Sequence, residues 1–393
     1  MGNRLLSTCT FSLLLISLFL PAWAMQYEAV TLEILPGSTC AWASGINDRG
    51  QIVGTCRVGY QSRAVMWDRT GAISVIASVS DARSSGAARI NNQGHILIGV
   101  DQQAGLSTSI LATADSVIRT YPVAAAGEVG MLSLNDRDQM VGYENNRDPY
   151  INMGVFWDGD SVVDMTPGSV PDVFGGEPMD VNNSGWAVGY CCDAKSYLRD
   201  QACLWQSPNE MQYLLSGSES ISRAVAINDM GQVIGWATPY EGEGGTFLWQ
   251  DGHYRYLALP DDKNMLTAND INNKAQIVGR FGLFTDEVPA PTETCDAFIW
   301  QDDVFYALPS PYLYSEALAV NDSGWVVGWS RNGSETEITH PMLWVPVPEP
   351  GSLCALASGL AALALVNRRR RSISLAPPPI EQVGRCTNER RSC

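Results

Sequence analysis

The segment Ile46-Asn47-Asp48-Arg49-Gly50-Gln51-Ile52-Val53-Gly54 is written seven times with variations, and nothing else in the 393-residue chain restricts its fold as tightly. The copies begin at Asn47, Asn91, Asn135, Asn182, Asn228, Asn272 and Asn321, a period of 44 to 49 residues. That period is in the range of propeller blades. The next position is Asp48, Asn92, Asp136, Asn183, Asp229, Asn273 or Asp322, and the fourth is Gly except at Asp138 and Ala275. Asn and Asp side chains accept hydrogen bonds from amides two residues on, and Gly takes the positive φ that reverses the chain. Each copy therefore reads as a hairpin turn. Asn in all seven first positions, never Asp, requires an amide that donates as well as accepts, within the hairpin or against the next repeat. A calcium loop needs several carboxylates at alternating positions, and one per copy is too few, so neither metal nor cofactor is expected.

Around this turn each repeat reads as four short strands. The third ends in Trp at Trp67, Trp157, Trp205, Trp249, Trp300 and Trp344, and the fourth follows a hairpin such as Asp158-Gly159. In the second copy Ala112 stands where Trp is expected, and Ile98 reads as an extra residue before Gly99 that a β-bulge would absorb. The seventh repeat stops at its third strand, Pro341 to Trp344, while Tyr27 to Leu35 is a strand with no repeat before it. Joining the two completes a blade and removes a free edge. The expected fold is all-β, a seven-bladed β-propeller over residues 25–346 closed by an N-terminal strand and followed by one C-terminal transmembrane helix. A parallel β-solenoid is the runner-up, with coils usually shorter than this period.

Arg4, the apolar run Leu13 to Leu20 and Ala22-Trp23-Ala24 make residues 1–24 a secretory signal peptide. The compartment beyond is oxidising, which makes disulfides the first reading of the cysteines. Cys40 and Cys56 flank Asn47 almost symmetrically, and Cys203 starts the strand after the one ending in Cys191-Cys192. Bridges 40–56, and 203 with either 191 or 192, are expected. A net charge of −17 without a basic stripe argues against a nucleic-acid partner.

After Trp344 come Val347-Pro348-Glu349-Pro350, an apolar run over 351–366, and Arg368-Arg369-Arg370-Arg371. Sixteen apolar residues are at the short limit for a spanning helix, and the basic cluster fixes its far side in the cytoplasm. This order resembles the PEP-CTERM sorting signal of exopolysaccharide-producing Gram-negative bacteria. The resemblance implies that residues 347–371 are a sorting signal handled by an exosortase-type enzyme. It also implies membrane attachment through the helix until processing, then a place on the cell surface or in the matrix. The chain departs from the pattern in continuing over 372–393, read as a disordered tail. The seven repeats, roughly residues 45–344, resemble the HAF family of extracellular repeats, a family defined by sequence that brings no activity with it.

No catalytic constellation assembles from these residues. His95, His253 and His340 are the only histidines and read as turn or solvent-side residues, and no nucleophile elbow, phosphate loop or zinc signature occurs. The pairs Asp261-Asp262 and Asp302-Asp303 suit a glycosidase or lyase, but a chain this acidic supplies them by chance. The expectation is a non-catalytic binding or structural module associated with extracellular polysaccharide, the alternative a propeller enzyme acting on glycans. Trp42, Trp186, Trp236, Trp325 and Trp329 lie outside the core register and are the candidates for stacking sugar, Trp186 and Trp325 foremost. Convergence of such residues in one pocket, or their scatter, discriminates the readings.

Overall fold

In a computed structural model of the chain the first turn is closed by Asn47 N–H donating to the Gln51 carbonyl (3.1 Å) and Gly50 N–H donating to the Asn47 carbonyl (2.9 Å). Gly50 takes φ 73°, and the exceptions Asp138 and Ala275 hold the same left-handed region at 60° and 59°. The structure describes residues 25–101, 107–121, 128–145, 153–165, 173–193, 200–215, 221–239, 244–284, 293–333 and 338–348.

Strand β1 (Tyr27–Thr31) precedes the first blade, which is β2 (Ser38–Ile46), β3 (Ile52–Val58), β4 (Gln61–Trp67) and β5 (Ile73–Val75), each antiparallel to the next. Four more four-stranded sheets follow the same order, and an eight-stranded sheet holds the last two blades, joined by one parallel bridge between Cys295 and Tyr314. The last blade takes three strands from Tyr314–Val320, Val326–Arg331 and His340–Pro346, and its fourth is β1. Tyr27 lies opposite Pro346, Ala29 opposite Trp344 and Thr31 opposite Met342. The Tyr27 hydroxyl donates to the Gly324 carbonyl at 3.0 Å. Residues Met25–Pro346 form one compact unit.

The third-strand tryptophans are buried between sheets. Their indole N–H groups find carbonyls, Trp67 on Glu33 (2.7 Å), Trp205 on Met165 (2.9 Å) and Trp344 on Pro309 (2.7 Å). This is what burying an indole demands. Ile98 is not an insertion. It lies opposite Ala87 as Gly54 lies opposite Ala43, so the strand carries no extra residue there. In the first blade Trp67 packs at 3.0 Å over the place where a Cβ on Gly54 would sit. With Ala112 in place of Trp, Ile98 in place of Gly refills that volume, and both are fully buried in one cluster. Volume-conserving exchanges of this kind are the ones cores tolerate.

A bulge does occur, but in the first strand of every blade, for example between Ala43 and Gly45 and between Ala87 and Arg89. It re-aims the residue two before each Asn, and Gly45, Arg89, Ser133, Asp180, Asp270 and Ala319 line the central channel. Among the described residues no helix is long and apolar enough to cross a membrane. The expected signal peptide, transmembrane helix, Glu349, Pro350, Arg368 to Arg371 and the tail lie outside the described residues.

Candidate functional site

Seven Asn side chains encircle the channel and bind each blade to the next. Asn47 Nδ2 donates to the Asn91 carbonyl at 2.9 Å, Asn91 to Asn135 at 3.1 Å, Asn135 to Asn182 at 2.8 Å and Asn182 to Asn228 at 3.0 Å. Asn228 to Asn272, Asn272 to Asn321 and Asn321 back to Asn47 follow, each at 2.9 Å. Every Asn Oδ1 meanwhile accepts from the amides two and four residues on, as Asn47 does from Arg49 (3.1 Å) and Gln51 (3.0 Å). Both ends of the amide are in use, and all seven side chains are buried. An Asp at any of these positions has no hydrogen to give.

Above this ring the Asp/Asn residues of the next position form a rim. Each backbone amide donates to the following residue's Oδ1, from Asp48 to Asn92 (2.8 Å) around to Asp322 on Asp48 (2.8 Å). Asn92, Asn183 and Asn273 also donate from Nδ2 to the carboxylates on either side.

Deeper in the channel, whose cavity is about 180 Å³, stand the charged residues the bulges aim inward. Asp180 Oδ1 accepts from the Ser133 hydroxyl (2.5 Å) and Oδ2 from Ile227 N–H (2.8 Å), so it ties three blades together. Asp270 accepts from Ile271 N–H (2.9 Å) and, on the next blade, Val320 N–H (2.8 Å). Burial pushes both carboxyls up, Asp270 to about 6, against the attraction of the Arg89 guanidinium. Asp180 raises Asp270 further by like-charge repulsion. The geometry provides two carboxyls with enhanced proton affinity and one guanidinium in a single channel.

These three were not singled out in the sequence, although aligning the repeats on their Asn would have shown charge intruding into a column otherwise small. Of the residues that were, the tryptophans separate by place. Trp186 and Trp325 are half-buried and pack on the turn glycine of the next blade, each 3.2 Å from where a Cβ on Gly231 or Gly50 would sit. They take the position that Gln51 holds in the first repeat, where the side chain covers Gly94. Trp42 and Trp329 instead share a pocket at the other end of the first strands. Asp261-Asp262 and Asp302-Asp303 stay outside the channel; Asp302 and Asp303 are left-handed turn residues, and Asp303 pairs with Arg255. His95 pairs with Asp138 of the next blade (2.8 Å), His253 is exposed, and His340 stacks on Tyr312 with ring centres 4.5 Å apart.

The cysteines correct one expectation. No disulfide joins the six described cysteines in the structure. The strand register puts Ala41, not Cys40, opposite Cys56, and Cys40 opposite Arg57. Neighbouring side chains on a strand face opposite ways, so Cys40 opens on a pocket while Cys56 joins the core. Cys191 and Cys203 do meet, with sulfurs 2.6 Å apart, whereas Cys192 turns to Asp200 at 3.3 Å.

Residues 346–371 match the PEP-CTERM protein-sorting motif. No curated protein matches the chain. Among solved structures the chain is similar to a puromycin-hydrolysing peptidase from Mycobacterium tuberculosis, with 8% identity and a TM-score of 0.50 over 78% of this chain and 52% of that one. A prolyl endopeptidase gives 8% identity and a TM-score of 0.49, covering 83% of this chain and 51% of the other. The BP39L lectin from Burkholderia pseudomallei gives 11% and 0.42, covering 82% and 96%. The chain spans about half the length of the two peptidases. At such identities the likeness concerns fold alone.

Proposed function

We propose that this chain is an exosortase-processed surface protein whose seven-bladed propeller acts as a non-catalytic binding or structural module associated with extracellular polysaccharide. One observation carries the reading. The matched sorting motif begins at Pro346, the last residue of the last propeller strand, after β1 has already completed the blade. A cut near Val347 to Pro350 thus removes the membrane segment and leaves every strand of the last blade whole. Pro348 and Pro350 disfavour helix there, which suits access by a membrane-embedded enzyme. The apolar run and Arg368 to Arg371 hold it there until cleavage, with the propeller on the far side of the inner membrane of a Gram-negative cell. The repeat supports the non-catalytic part, because its Asn and Asp side chains are consumed in joining blades. The test compares protein size and membrane retention in hosts with and without exosortase. Equal size and retention in both would leave only a permanent anchor.

Asp180 and Asp270 favour a second reading, a glycosidase or lyase, since a carboxyl whose proton affinity is raised by burial is what a general acid needs. Turnover of any glycan by the purified chain, abolished by Asp270→Asn, would establish that reading instead.

A further inference from the structure

Around the end of the channel remote from the Asn ring, the residue eight after each Asn meets the residue five before the next. Three of these meetings are internally matched. A Cβ on Gly86 would come within 2.9 Å of Thr55 Oγ1, the Arg223 guanidinium lies 4.1 Å over the Tyr190 ring, and Arg280 reaches Glu316 at 3.8 Å. At the seam where the last blade meets the first, the two positions are Trp329 and Trp42, and neither complements the other.

Instead they line a pocket of about 320 Å³ with Leu318, Thr339, Cys40 and Arg331. Both indoles are half-buried, so each keeps a face for contact. The Arg331 guanidinium is held 5.3 Å from the Trp329 ring centre and 5.9 Å from that of Tyr314. Its Nε is buried without a hydrogen-bond partner, and no carboxylate among the described residues pairs with it. An orphaned buried guanidinium N–H is costly to leave unmade, and a planar fork of donors fits a carboxylate bidentately.

We infer that this pocket binds an acidic pyranose, a uronate residue of an extracellular polysaccharide. The apolar face of the sugar ring stacks on indole while the carboxylate takes Arg331, and the volume suits about one ring. The protein's own negative charge does not forbid this, because repulsion from distant carboxylates is screened beyond about 8 Å at physiological salt. The inference rests on, and deepens, the polysaccharide reading proposed above. It assigns the role to Trp42 and Trp329 rather than to Trp186 and Trp325.

The test titrates the full chain with oligogalacturonate and oligomannuronate, and with maltodextrin of equal length as the neutral control, at physiological salt. At least one uronate oligomer should bind in preference to maltodextrin, and R331Q and W329A should each weaken it about tenfold or more, with R331K between. The same oligomer should slow alkylation of Cys40 in the unaltered protein, a readout that does not depend on any variant folding. Uronate binding that ignores the variants and leaves Cys40 unprotected would overturn the pocket while keeping polysaccharide association at another site. Equal affinity for maltodextrin would overturn the acidic specificity, and no binding of any of the three would overturn pocket and polysaccharide reading together.

Discussion

Asn321 and Asn47 stand 274 residues apart, and the Asn321 side-chain amide donates to the Asn47 carbonyl at 2.9 Å, as it would to a neighbour in sequence. The bond has the geometry of the six other seams, so the ring closes without a weak link at the chain's ends. Asn182→Asp tests what this contributes. It replaces the donor toward the Asn228 carbonyl by a buried carboxylate oxygen, and should cost roughly 2 to 4 kcal/mol in urea unfolding. A cost below about 0.5 kcal/mol would mean the ring adds nothing to stability.

The rim follows a parity rule. Asp and Asn alternate from Asp48 to Asp322, and because seven is odd two like residues must adjoin, which falls at Asp322 and Asp48. The Asn273 and Asn92 amides each serve one side of that junction only. Asp322→Asn moves the mismatch by one seam and should change stability by less than about 0.5 kcal/mol. Asn92→Asp removes two donors and sets four carboxylates in a row, from Asp322 through Asp48 to Asp136. It should cost on the order of 1 to 2 kcal/mol, partly recovered in high salt. A salt-independent loss would assign the effect to packing.

Ala275 holds φ 59° where five repeats have Gly. A Cβ in that region is strained by about 1 to 2 kcal/mol, so Ala275→Gly should raise the melting temperature, less the entropy that Gly adds to the unfolded chain. Lowering it would show that the methyl packs usefully against the preceding blade.

What was legible in the sequence is what depends on local chemistry. Asn47 with Gly50 makes the same turn wherever it occurs, and Trp67 with its five equivalents stands within two residues of the end of the same strand. The strand at Tyr27 was readable because the seventh repeat lacked one. Features set by register were not readable. The bulge between Ala43 and Gly45 is invisible in a hydrophobic pattern, yet it turns Cys40 and Cys56 to opposite faces of the sheet, and its equivalents turn Asp180 and Asp270 into the channel. Trp186 and Trp325 are half-buried because their column covers the next blade's turn glycine, a contact between blades that a linear sequence does not display. Ile98 was mistaken for an insertion because Gly99 suggested a shifted Gly54, when the exchange of Gly and Trp for Ile98 and Ala112 conserves volume.

The cysteine pair at the second and third strands of the fourth blade gives the next prediction. Cys191 and Cys203 have sulfurs 2.6 Å apart, inside non-bonded contact and a small side-chain rotation from the roughly 2.04 Å of a disulfide. Burial raises the Cys203 thiol well above its usual range, so oxidation should occur during folding, before the core excludes reagent. Peptide mapping of secreted protein without reductant should find 191 joined to 203 and Cys192 free. Free thiols at both 191 and 203 would sink the assignment.

The channel carboxyls make the last prediction, about pH. Asp270 ionises at about 6 in the native protein and near 3.8 in the unfolded chain, and Asp180 is shifted the same way, both chiefly by burial. Between these values the native state keeps protons that the unfolded chain has released, so unfolding free energy falls as pH rises. The contribution is complete below about pH 4 and lost above about pH 6. At about 1.4 kcal/mol for each tenfold change in proton affinity, Asp270 alone accounts for a decline of roughly 3 kcal/mol. Asp270→Asn cannot titrate, though it keeps only one acceptor for the Val320 and Ile271 amides and loses about 1 kcal/mol or more for the other. Its stability at pH 7 should therefore lie close to that of the parent, while its slope between pH 4 and 6 is shallower. Urea midpoints of both proteins at four pH values read the difference, in which ordinary carboxylates cancel. Parallel slopes would mean that Asp270 is ionised throughout and that water in the channel, rather than protein, sets its environment.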